Sequence, residues 1–78
     1  MRIKILLNEF NMVNKFNSVA QTFISDIDLS NGRYVVNGKS LLGIYSSHLS
    51  TPVIAEIYSN DEKELKKFEE AMEEFRVD

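Results

Sequence analysis

An amine, a hydroxyl and a glycine come together at Lys39, Ser40 and Gly43. They sit inside the stretch Asn37-Gly38-Lys39-Ser40-Leu41-Leu42-Gly43-Ile44-Tyr45-Ser46. A serine that opens a helical turn holds its hydroxyl near the free N–H groups of that turn, where an N-cap belongs. Two other positions could do chemistry. Glu9 stands in the break Asn8-Glu9-Phe10-Asn11, and His48 is the single histidine, flanked by Ser47 and Leu49. A carboxylate in a loop is ordinarily solvated. A lone histidine without an acid cluster makes a poor metal site. With no Ser/His/acid constellation, metal spacing or glycine-rich phosphate loop, the sequence reads as a binding protein rather than an enzyme, with no metal and no cofactor expected.

The Ser40 segment needs support from elsewhere. Gly43 weakens an isolated helix by about 1 kcal/mol relative to Ala, so tertiary packing or a partner must hold it. Leu41 and Ile44, three apart, can face a core, while Leu42 and Tyr45 point elsewhere and could be exposed. The alternative, that Leu42 and Tyr45 are core residues of a small domain, stays open.

The flanking elements follow from periodicity. Arg2 to Leu7 alternates as a strand with one buried face. Asn11 is the expected N-cap of a helix over Met12 to Ile24, with Met12, Val13, Phe16, Val19, Ala20, Phe23 and Ile24 as its apolar side. Asp26 to Leu29 and Tyr34 to Val36 form a hairpin around Asn31-Gly32, where both residues tolerate positive φ. Residues 47–52 form a loop, and Pro52 starts or precedes the strand Val53 to Tyr58, whose poor alternation suits a central strand. A last helix runs from Asp61 to about Phe75. Asp61 and Glu64 have capping-box spacing, and Leu65, Phe68, Met72 and Phe75 form its stripe. The order βαββαβα, packed as one four-stranded antiparallel sheet with three helices on one face, gives an α+β open-faced sandwich that leaves the other face wet.

Seventy-eight residues allow one domain, residues 1–78. Cysteine is absent, so disulfide and thiol chemistry are excluded. Residues 61–78 hold eight acids against four bases and residues 1–60 four acids against five bases, within a formal net charge of −3. No basic face for nucleic acid is visible, and the acidic excess reads as a solvated helix face. No apolar run approaches a membrane span, and Met1-Arg2-Ile3-Lys4 does not open a signal peptide. The expectation is a cytoplasmic protein with neither nucleic-acid nor membrane partners.

Lys39-Ser40, two large aliphatics, Gly43, an aliphatic and Ser46 resemble the regulatory-serine segment of HPr, the phosphocarrier protein of the bacterial sugar phosphotransferase system (PTS). The region Asp26 to Ser46 aligns without a gap, and the order of elements matches over nearly the whole chain. The resemblance implies the open-faced fold and protein partners from the PTS or its regulation. It places Ser40 on the serine modified by an HPr-type kinase, and Lys39, Leu42 and Tyr45 at partner contacts. It also places Glu9 in the slot of the phosphoacceptor histidine and Asn11 in that of the neighbouring arginine. Phosphoryl transfer needs a neutral imidazole at a helix N-terminus, and a carboxylate there repels the donor. The resemblance therefore implies a regulatory or protein-interaction module rather than a carrier. Two alternatives remain. Ser40 could be kept as a cap for the fold alone, or the chain could be a small metabolite-binding α+β domain that shares only the architecture.

Overall fold

The computed structural model describes residues 1–33, 35–46 and 51–77. The predicted Tyr34 strand position and the loop residues Ser47, His48, Leu49 and Ser50 lie outside them. The elements run β1 (Arg2–Ile5), α1 (Phe10–Ala20), β2 (Asp26–Ser30), β3 (Val35–Asn37), α2 (Leu41–Tyr45), β4 (Val53–Tyr58) and α3 (Glu62–Met72). The sheet order is β1-β4-β2-β3 with every pairing antiparallel, the open-faced α+β architecture expected. None of the described helices is long and apolar enough to cross a membrane.

Period-two alternation sends Ile3, Ile5, Ile27, Leu29, Val53, Ala55 and Ile57 to the covered face. There they meet Val13, Phe16 and Ala20 of α1, Ile44 of α2, and Phe68 and Met72 of α3. Two edge-to-face ring pairs lock the layers, Phe16 with Phe75 at 5.8 Å and Phe23 with Phe68 at 6.0 Å between centroids. β4 is central, as its apolar run suggested. The disturbed alternation comes from Ile54, which points half-buried to the open face.

Both long helices are shorter than their apolar patterns. α1 begins at Phe10 because the Glu9 carbonyl already accepts from the Val13 N–H at 3.1 Å, so Glu9 and not Asn11 occupies the N-cap position. It stops at Ala20. The Thr22 hydroxyl donates to the Val19 carbonyl at 2.6 Å, and the chain turns so that Phe23 enters the core while Ile24 is 93% exposed. Ile24 is therefore not part of the apolar face. α1 has no basic residue in its last turn, yet two ammonium groups reach this end from elsewhere. Lys67 donates to the Thr22 carbonyl at 2.8 Å and Lys39 to the Phe23 carbonyl at 2.6 Å, complementing the negative helix end.

α3 likewise ends at Met72, and Phe75 reaches the core from the turn beyond it, where its N–H donates to the Met72 carbonyl at 3.0 Å. Asp61 caps α3 by accepting from the Lys63 N–H at 2.9 Å. The predicted reciprocal contact from Glu64 does not form, because the Asp61 N–H already donates to Ser59 Oγ at 3.0 Å. Glu64 instead accepts from the Ile24 and Ser25 N–H groups, each at 3.1 Å, and ties α3 to the α1–β2 turn. The Ser25 hydroxyl bond, with the two N–H bonds and nearby Lys67, holds the Glu64 carboxyl below its ordinary value against a smaller desolvation effect. A carboxyl lowered in the folded state contributes stability that is full above its unfolded value of 4.5 and is lost as pH falls through the folded value. Glu64→Gln should therefore flatten the acid limb of a stability–pH profile measured by urea unfolding; an unchanged acid limb would contradict the clamp.

β1 is shorter than predicted because β4 begins only at Val53, opposite Ile5. Its outer edge is covered by the chain's last described residues. Leu6 N–H donates to the Phe75 carbonyl at 2.9 Å, Val77 N–H donates to the Lys4 carbonyl at 3.0 Å, and Ile5 bridges Arg76. Covering an edge removes a template for unwanted strand pairing.

Gly38 connects β3 to α2 at close quarters. Its N–H donates to the Ile27 carbonyl at 2.7 Å, and a Cβ there would lie 2.9 Å from that oxygen and 3.3 Å from the Phe16 ring. Gly38→Ala is expected to cost about 1–3 kcal/mol by overpacking, read from the urea midpoint. A neutral result would show that the strand and ring can give way.

Candidate partner-docking site

The Ser40 segment folds as its residues require. Ser40 is the N-cap of α2, and its Oγ accepts from the Gly43 N–H at 3.2 Å. Gly43 fits this turn closely, since a Cβ on it would sit 3.2 Å from Ser40 Oγ. Ile44 is fully buried and anchors the helix to the core. The expected pairing of Leu41 with Ile44 at the core does not hold. Leu41 is exposed at the rim, and Leu42 is 81% exposed, because a five-residue helix resting on one anchor turns most of its circumference outward.

Tyr45 differs from Leu42. It is half-buried against the core, and its hydroxyl donates to Asn14 Oδ1 of α1 at 2.7 Å. Its ring stands edge-on to Phe10, 5.6 Å between centroids. Phe10, the first residue of α1, is 74% exposed. The Phe10–Tyr45 pair thus joins the start of α1 to α2, and with Leu42 it forms an exposed apolar patch beside Ser40. Phe10 was missed in the sequence, where it fell in the break before the predicted helix. A large aromatic in a break that gives it no partner was the available signal.

Glu9 is exposed in extended conformation, φ −135° and ψ 151°, and its carboxylate makes no capping bond. With Leu7, Asn8, Phe10 and Val13 it lines a shallow concavity of about 200 Å³. Lys39 is half-buried. Its ammonium is committed to the Phe23 carbonyl, and its own carbonyl accepts from Gln21 Nε2 at 2.6 Å. Lys39 therefore fixes the approach to Ser40 from within the fold. His48 lies outside the described residues. Among those residues no group of three or more His, Cys, Asp or Glu could hold a metal.

Among solved structures this chain is similar to the crystal structure of HPr-C-His from Thermoanaerobacter tengcongensis. The TM-score is 0.74 with 22% sequence identity, covering 94% of this chain and 91% of that one. The chain has the HPr fold. No protein-family model matches the sequence, and no curated protein matches it. In this HPr-like frame, α1 and the end of α2 meet through the Phe10–Tyr45 ring contact and the Tyr45–Asn14 hydrogen bond, and Ser40 caps the other end of α2.

Proposed function

We propose that this chain is an HPr-like protein-interaction module associated with the phosphoenolpyruvate-dependent sugar phosphotransferase system, without the carrier step and with Ser40 as a regulatory phosphorylation site. In this reading it is a cytoplasmic binding protein and not an enzyme. Its partners are proteins of that system or its regulation, among them an HPr-type serine kinase. The carrying observation is the pairing of an α1 entrance that, among the described residues, holds Glu9 and no imidazole with an apolar face of exposed Phe10 and Leu42 beside half-buried Tyr45. A phosphoryl carrier needs a nucleophilic imidazole at that entrance, whereas docking needs only the apolar face and its rim. Lys39 borders the face and holds the turn that presents Ser40. A phosphate there adds about −1.5 to −2 of charge beside Leu42, enough to change which partner surface the patch accepts. At the Glu9 loop the concavity of about 200 Å³ is below the roughly 300–1,000 Å³ of ligand pockets, which counts against a metabolite site there.

The test is intact-mass analysis after incubation with phosphoenolpyruvate and the first enzyme of the phosphotransferase system. The expected result is no phosphate gained; phosphate on Glu9 or His48 would overturn the reading. In a second arm an HPr-type serine kinase and ATP are expected to add one phosphate at Ser40, and none to Ser40→Ala. Absence of phosphate on the unsubstituted chain would remove the regulatory part. The alanine variant loses an N-cap worth about 0.5–2 kcal/mol, so circular dichroism must first show it folded.

A further inference from the structure

The face of the sheet that carries no helix is not uniformly wet. The register places Lys4, Ile54, Ser30 and Val35 in one row across all four strands, and Arg2, Glu56, Asp28 and Asn37 in the next. Ile54 is half-buried, and Val35 is 60% exposed. Beyond the first row the β2–β3 turn brings up Gly32, whose φ of +94° only glycine adopts easily, and then Arg33. Together Arg2, Ser30, Gly32, Arg33, Val35 and Ile54 line a concavity of about 380 Å³, within the size range of small-molecule pockets.

Its lining has one chemical character. Among the described residues the lining supplies two arginines and a serine around the apolar Val35 and Ile54, and no acidic residue. Arg2 is only loosely held, its Nε 3.8 Å from Glu56 with most of the side chain exposed. Among the described residues no carboxylate pairs with Arg33. The acids Asp28 and Glu56 stand directly opposite each other in the row that also carries Arg2, so they repel an anion from the middle of that row, and Arg2 borders the concavity from the β1 side. The planar guanidinium fork matches carboxylate and phosphate oxygens, while Ile54 and Val35 offer contact to an apolar body.

We propose that this concavity binds a small amphipathic anion, a carboxylate or phosphate monoester head on an aromatic or short alkyl body. The head lies between Arg2 and Arg33, and the body rests on Ile54 and Val35. The site is on the opposite side of the sheet from the helices that carry Ser40 and Glu9, so it stands apart from the docking face and from the fate of that reading.

The experiment is a backbone amide NMR titration of the full chain with phenyl phosphate and with benzoate, against phenol and inorganic phosphate as controls. Saturable shifts at Ser30, Gly32, Arg33 and Ile54 are expected with phenyl phosphate or benzoate; whichever binds more tightly identifies the head group. Phenol and inorganic phosphate should each bind at least about tenfold more weakly, because a hydrogen bond to a charged group or the burial of a ring is worth that much. The double variant R2Q/R33Q, at exposed positions, should keep its fold and lose at least about tenfold in affinity. The proposal is overturned if neither acid binds, if inorganic phosphate matches phenyl phosphate, if R2Q/R33Q binds unchanged, or if the shifts gather at residues 8–11 and 40–46.

Discussion

Phe68→Ala is expected to lower the free energy of unfolding by about 3–5 kcal/mol, the largest effect of any single truncation considered. Phe68 is fully buried, and its ring meets Phe23 edge-on at 6.0 Å. Phe23 in turn lies under the Lys67 ammonium, 4.4 Å from its ring centroid. Removing Phe68 leaves a cavity where α3, the α1–β2 turn and the sheet converge, and it loosens the ring on which Lys67 rests. A domain of this length has only about 4–12 kcal/mol of net stability, so the variant would lose a quarter or more of it. Urea unfolding should show a lower midpoint with an unchanged slope. A loss below about 1 kcal/mol would mean that α3 is not seated as described.

Leu42→Asp is expected to do the reverse, sparing the fold and weakening docking. Leu42 is 81% exposed, so its replacement should change stability by no more than about 0.5 kcal/mol. As the apolar centre of the proposed patch, it should contribute about 2 kcal/mol or more to a partner complex, roughly a 30-fold loss of affinity when replaced. A charge placed there adds a desolvation cost at the interface. Calorimetric titration with an HPr-type serine kinase, or with another protein of the phosphotransferase system, measures this. Unchanged affinity would move the docking face away from α2, and a large drop in stability would make Leu42 a core residue.

Much of the architecture was legible because it is encoded by short-range patterns. The alternation in Ile3 and Ile5, the three-and-four spacing from Val13 to Ala20 and the stripe Phe68–Met72 each report a local period. The hairpin turn holds Gly32 at positive φ, and Ser40 and Asp61 are caps as their types suggested. The candidate site was only partly legible. Leu42's exposure agreed with its position opposite Ile44, but Phe10 entered only through its contact with Tyr45, far along the chain.

The sequence alone determined the element types, their order, most of the buried positions and the lack of a histidine before position 48, since composition and near-neighbour spacing suffice for these. Tertiary structure decided where the helices stop, that Glu64 clamps the 24–25 turn and not its own N-cap, that the last residues cover β1, and that Arg2 and Arg33 border one concavity on the open face. The physical reason is range. A cap or a stripe is settled within one helical turn, whereas a carboxylate choosing between its own Asp61 and a turn 39 residues away is settled only when the whole sheet has brought the competing donors together.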